Sequence, residues 1–202
     1  MPTSDVLRPP ASAEFASSIT TITQRIRVRM GTSWQRGCPV GLADLRYLRL
    51  VFRGFDGRSH TGELIVHAAH ARGIVGVFRK LYAADFPIEQ MTLPTSAEPD
   101  PTPSGDGNGT GAMVCRATTG ATTWSAHASG LALDLNPFQN PYQKDDLVLP
   151  ELAGAYLDRS WHRPGMIHPD GVVVRAFAEI GWSWGGNFST LHDYHHFSAT
   201  GR

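Results

Sequence analysis

Residues 46–67 read RYLRLVFRGFDGRSHTGELIVH, and this stretch decides the fold. Over 46–53, Leu48, Leu50 and Phe52 fall on one side and Arg49 and Arg53 on the other, the period-two alternation of a strand with one buried face. Asp56-Gly57 is a turn signal, and 60–67 is again rich in β-forming residues, so the two runs predict an antiparallel hairpin. The period then changes. Across 68–84, Ile74, Val77, Phe78, Leu81 and Tyr82 recur at helical spacing, and Gly73 and Gly76 weaken that helix without removing it. A hairpin, then a helix, then mixed short strands and helix predicts an α+β fold with a small antiparallel sheet and flanking helices.

Further along the chain, 86–93, 114–118 and 131–135 read as short strands, and in the last of these Ala132 and Asp134 share one face. A short helix is expected over 149–159. Another is expected over 171–180, with Asp170 as its N-cap and Gly181 as its stop. Residues 94–112 hold four Pro and four Gly and read as a long internal loop. Residues 1–33 are polar and read as a flexible or loosely docked arm, leaving 34–202 as one domain.

Composition narrows the classes of function. Lys plus Arg and Asp plus Glu each number 18, so there is no basic excess for nucleic acid or for an anionic membrane surface. No run of 18 apolar residues exists to span a bilayer. The 21 Gly and 14 Pro make a loop-rich chain. Met1 to Met30 contains no apolar core behind a basic start, so no signal peptide is read, and cytoplasmic or phage-delivered action stays open. Cys38 and Cys115 lie too far apart for a CxxC pair. Either they are two buried thiols, or they form a disulfide, which needs an oxidising compartment.

Histidine carries the chemical signal. His127 lies in SAHASGLALDLN with Asp134 seven residues on, and His192, His195 and His196 lie in LHDYHHF with Asp193 three before His196. Two imidazoles and a carboxylate suit a catalytic zinc with water in the fourth position, and a further carboxylate can take that water's proton. A lone His-x6-Asp arises readily by chance, so spacing alone does not establish the site.

Taken together, SAHASGLALDLN, GWSWGGN and DYHHF resemble the zinc D-alanyl-D-alanine carboxypeptidase and L-alanyl-D-glutamate endopeptidase family of bacterial cell-wall metabolism. That family carries S-x-H-x-x-G-x-A-x-D and a later D-x-x-H-F or E-x-x-H-F. GCPV, GFDGRSHTGELIVH, FPI, the Cys-Arg pair, NPFQNPY, LDRS and RPGMIH resemble its actinobacterial-type branch, so the likeness extends over most of 34–197. The resemblance implies a loop-rich fold like that of Hedgehog and DD-peptidases, with one zinc per chain. It makes His127, Asp134 and His196 the zinc ligands and Asp193 the general base. Arg116 falls where relatives hold the scissile carbonyl oxygen or a substrate carboxylate. It places Ser125 beside the site as a support, Gly130 as a backbone requirement, and Trp184, Gly185 and Gly186 in the pocket wall. Glu63 lies in a matching stretch with no role assigned.

Two departures stand out. His195 sets a second imidazole beside the expected ligand, where it could compete for the metal, although the D-x-x-H-F spacing favours His196. Asn187-Phe188 stands where relatives usually carry Asp-Trp. The implied activity is a monomeric, extracytoplasmic zinc peptidase acting on peptidoglycan stem peptides, foremost as a D-alanyl-D-alanine carboxypeptidase. The alternatives are an L-alanyl-D-glutamate endopeptidase and a zinc-containing binding module that has lost catalysis.

Overall fold

The computed structural model describes residues 3, 7–96, 107–118 and 122–201. The hairpin forms as its alternation requires. Strands β2 (Leu45–Arg53) and β3 (Ser59–His67) pair antiparallel in the register Leu48↔Leu64 and Phe52↔His60. Leu48, Leu50 and Phe52 point into a core shared with helix α2 (Ala71–Ala83), which buries Ile74, Val77, Phe78, Leu81 and Tyr82 on one face. Each such side chain, fully removed from water, stabilises the fold by about 1.5–3 kcal/mol.

The other face of the hairpin is covered too, and this corrects the reading of 1–33 as a loosely docked arm. Strand β1 (Ser17–Thr21) adds to the sheet edge in the order β1-β2-β3. Helix α1 (Gln24–Arg29) follows, with the Thr23 hydroxyl accepting from the Ile26 amide at 3.3 Å. Ile26 and Met30 pack on Leu45, Tyr47 and Ile65 in a second cluster that also holds Met113 and Cys115. Arg29 forms an ion pair with Glu63, which is 1% exposed, and the Tyr47 hydroxyl donates to the same carboxylate at 2.7 Å. Glu63 therefore ties α1 to the sheet.

Other elements are shorter or of a different kind than the sequence suggests. Of 86–93, only β4 (Gln90–Met91) pairs, in parallel with β5 (Gly109–Thr110), which lies inside the expected 94–112 loop. Residues 97–106 of that loop lie outside the described residues. Residues 114–118 form no ladder strand, only an extended segment with an isolated bridge, Ala117↔Trp124. Strand β6 (Ala132–Asp134) lies within 131–135, as expected. A hairpin of β7 (Tyr142–Lys144) and β8 (Leu147–Leu149) precedes Glu151–Leu157, a 3-10 helix inside the span 149–159 where a short helix was expected. Helix α3 (Val172–Ala178) is capped by Gly171 with no side-chain bond, so Asp170 is not its N-cap, and the chain turns at Gly181.

The C-terminal strands complete the site. Strands β9 (Ser183–Trp184) and β11 (His196–Ser198) lie with β6 in the order β6-β11-β9, while β10 (His192–Asp193) joins the β7-β8 hairpin. Phe177 of α3 stacks on Phe197 at 4.0 Å between centroids, anchoring β11 to the core beside His196. Cys38 and Cys115 are joined by a disulfide, which resolves the alternative that the sequence left open.

Candidate metal centre

Antiparallel pairing brings the first two donors together. His196 lies directly opposite Asp134 in the β6–β11 ladder, and such partners project to the same face. Their side chains meet, with His196 Nδ1 3.0 Å from Asp134 Oδ1. His127 arrives from the 3-10 turn Ala126–Ser129, whose first residue is capped by Ser125: the Ser125 hydroxyl accepts from the His127 amide at 3.3 Å. That turn ends at Gly130 with φ +65°, where an added Cβ would lie 2.7 Å from the His67 nitrogen. No L side chain fits there, and the left-handed turn is what redirects the chain into β6.

The His127 ring is oriented through its far nitrogen. Its Nδ1–H donates to the Ala112 carbonyl at 2.6 Å, which leaves the Nε2 lone pair facing inward. Nε2 lies 3.2 Å from Asp134 Oδ2 and 3.2 Å from His196 Nδ1. His127, Asp134 and His196 are the one group of three or more metal-capable side chains among the described residues, with their donor atoms all within 4.8 Å of one another.

These separations fit zinc. With bonds of about 2.0–2.1 Å, neighbouring donors in a tetrahedral site stand roughly 3.3 Å apart. The short separations, 3.0 to 3.2 Å, are close to that edge, with His196 against Asp134 Oδ1 and His127 against Oδ2.

Asp193 sits beside the group on the neighbouring sheet. Its side chain retains 18% exposure, yet Oδ1 is buried and receives no hydrogen bond among the described residues, although His195 Nε2 lies 3.1 Å away. A recessed carboxylate oxygen without a donor is suited to accept from a water. His195 faces this carboxylate and stands outside the three-residue group: its Nδ1 donates to the Asn140 carbonyl at 2.7 Å, and its Nε2 is 3.9 Å from Asp134.

Electrostatics separate the two aspartates. Burial raises the Asp193 carboxyl above the ordinary carboxylate value; His195 opposes the rise and Asp134 adds to it. Burial also acts on Asp134, but its interactions with His127, His195 and His196 outweigh it and hold Asp134 well below the usual range. The two neighbouring carboxyls are thus shifted in opposite directions, Asp134 down and Asp193 up.

The remaining residues expected near the site frame it. Arg116 is half-buried, and its backbone carbonyl accepts from the Ser125 amide at 3.2 Å. Trp184 is buried, and its indole N–H donates to the Tyr194 carbonyl at 2.8 Å, clamping the turn between Asp193 and His196. Gly185 and Gly186 open the 3-10 turn Gly185–Asn187 that follows Trp184. Two shallow grooves, one lined by Lys80, Val172 and Glu179 and one by Val174, Trp182 and Phe188, include none of the three donors.

Residues 119–199 match the family model described as D-alanyl-D-alanine carboxypeptidase. Over that segment the chain is similar to this family. The segment holds His127, Asp134, Asp193 and His196, while Arg116 and Cys115 lie just before it. No curated protein and no solved structure matches the chain.

Several contributors to this candidate site left no mark in the sequence. Ala112 and Asn140 act through backbone carbonyls on His127 and His195, and carbonyls carry no residue signature. Gly111 exchanges both backbone hydrogen bonds with Asp134, at 3.0 and 2.8 Å. Asn140 had one available signal, its place in NPFQNPY. Its side chain bonds the Asn136 and Gly165 carbonyls and the Ile167 amide, so it fixes the loops behind His195.

Proposed function

We propose that this protein is a zinc-dependent peptidase that hydrolyses peptidoglycan stem peptides, removing the terminal D-alanine from D-Ala-D-Ala ends. The observation that carries the reading is the convergence of His127, Asp134 and His196, with donor atoms within 4.8 Å, beside the recessed Asp193 carboxylate that His195 faces at 3.1 Å. The match of 119–199 to a peptidase family supports hydrolysis as the reaction class and the cell-wall peptide as its substrate class.

His127 Nε2, Asp134 and His196 Nδ1 would hold the ion. Zinc supplies Lewis acidity there, polarising the scissile carbonyl and acidifying a water. Asp193 takes the proton of the attacking water and later returns it to the departing amine; its raised pKa serves both transfers. The Arg116 guanidinium is assigned to the scissile carbonyl oxygen or to the peptide's free carboxylate, a role suited to its fixed positive charge. Ser125, Trp184 and the Ala112 carbonyl hold these groups in place. We place the working enzyme, as a monomer, outside the cytoplasm, a setting supported by the Cys38–Cys115 disulfide.

Incubation of the purified protein with defined muropeptides, with products identified by mass spectrometry, tests the reading. Loss of one D-alanine from pentapeptide stems is the expected result. Cleavage between L-alanine and D-glutamate would assign the endopeptidase activity, and zinc binding with no cleavage of any stem peptide would make the protein a binding module.

A further inference from the structure

The residues just ahead of the family-matched segment form the scaffold on which the metal centre hangs. Gly111 exchanges two backbone hydrogen bonds with Asp134, and the Ala112 carbonyl accepts a hydrogen bond from His127 Nδ1–H at 2.6 Å. The Val114 amide donates to the His127 carbonyl at 3.3 Å, and the Arg116 carbonyl accepts from the Ser125 amide. Thus 111–116 touches two of the three metal donors, the residue that caps the His127 turn, and carries Arg116 itself.

This scaffold has little regular structure of its own. β5 ends at Thr110, and beyond it the segment has only the isolated bridges at Gly111 and Ala117. Its fixity comes from the opposite side. Cys115 is joined to Cys38, its amide donates to the Ser33 carbonyl at 2.8 Å, and Met113 and Cys115 are buried among Ile26, Met30, Val40 and Leu45. The cross-link, with Cα atoms 5.8 Å apart, therefore bolts the scaffold to the N-terminal layer one residue before Arg116. An extended segment with few ladder bonds opens locally more easily than a sheet interior, and a covalent tie at its centre suppresses that opening.

We propose that the Cys38–Cys115 disulfide is a positioning element of the metal centre, holding the Ala112 carbonyl against His127 and Gly111 against Asp134, and so setting zinc affinity separately from its effect on global stability. This rests on the metal-site reading above. Losing a group that orients a metal ligand typically costs 10–100-fold in metal affinity, and that is the scale expected here.

The test compares the wild type with Cys38→Ser/Cys115→Ala, using competition with a chromophoric zinc chelator, and with Val51→Ala, a truncation of a buried β2 side chain that lies outside both core clusters, including the ones that hold Ala112, Met113 and Cys115. The expected result is zinc affinity at least about tenfold weaker in the cysteine variant and within about twofold of wild type in Val51→Ala. Equal affinity in all three, with Tm lowered in both variants, overturns the inference and leaves the disulfide a plain stabiliser. A wild type that binds no zinc removes the metal-site reading and this one together.

A second measurement covers a cysteine variant that fails to fold. Folded, zinc-loaded wild type is treated with a water-soluble phosphine, which with one water converts the disulfide to two thiols and becomes the phosphine oxide. Zinc transfer to the chelator should speed up at least about tenfold while near-UV circular dichroism is retained. An unchanged transfer rate with both thiols freed overturns the inference.

Discussion

Replacing Gly130 by alanine tests the geometry that delivers both His127 and Asp134. Gly130 has φ +65°, its amide donates to the His127 carbonyl at 3.0 Å, and its carbonyl accepts from the His67 amide at 2.9 Å. Two costs arise. Placing an L-residue in the left-handed region costs roughly 1–2 kcal/mol. The new methyl group would also lie 2.7 Å from the His67 nitrogen, 3.0 Å from the Val66 carbonyl carbon and 3.1 Å from Leu45 Cδ2. Two of these neighbours are backbone of β3 and cannot swing aside, so an overpacking cost of about 1–3 kcal/mol is added. The expected total is about 2–5 kcal/mol, a large share of the roughly 5–15 kcal/mol that stabilises a domain. Gly57→Ala is the matched control, since Gly57 has φ +75° with nothing within 4 Å of an added Cβ and so carries only the conformational cost. Urea unfolding of both variants separates the two costs. If Gly130→Ala costs no more than Gly57→Ala, the tight contact of the His127 turn with β3 is not as described.

Two further outcomes follow from the same structure. Zinc content should fall in His196→Ala and persist in His195→Ala, because His195 Nδ1 is committed to the Asn140 carbonyl and its Nε2 faces Asp193; the reverse pattern by metal analysis would exchange their roles. Tyr47, buried and donating to Glu63, has its hydroxyl pushed up to about 12 by burial and by that hydrogen bond. A folded pKa above the unfolded value of about 10 means this stabilisation is complete below pH 10 and lost as pH rises through 12. The stability difference between wild type and Tyr47→Phe should therefore shrink over that interval, and a constant difference in denaturant melts would contradict the Glu63 pairing.

The hairpin and α2 were legible because each has nine or more residues over which a period can repeat. β1 was not, and its burial explains why. All five of its residues are exposed, so SSITT joins the sheet edge through backbone bonds with no apolar pattern to announce it. The alternation in β2 also under-reported the core, since Leu45 and Tyr47, on the face that carries Arg49, are buried with Ile26 of α1, and Val51 is buried as well. At the site, His127, Asp134, Asp193 and His196 were legible through motif resemblance. What the motifs could not convey was the register that sets His196 opposite Asp134, because strands of three residues are too short to show a period. The support from 111–116 and Asn140 was hidden for another reason: it runs through main-chain atoms common to every residue type.

The central claim is that Asp193 is a base beside a metal that it does not hold, and Asp193→Asn tests it most directly. The amide preserves shape but cannot take a proton from water, and general-base catalysis typically contributes about 10²–10⁴-fold. Measured on the stem peptide that the wild type cleaves, with zinc content determined on the same sample, the variant should keep one zinc per chain and an unchanged fold while kcat falls by at least about 100-fold. Near-normal turnover with zinc retained, or loss of zinc from the variant, would contradict the account.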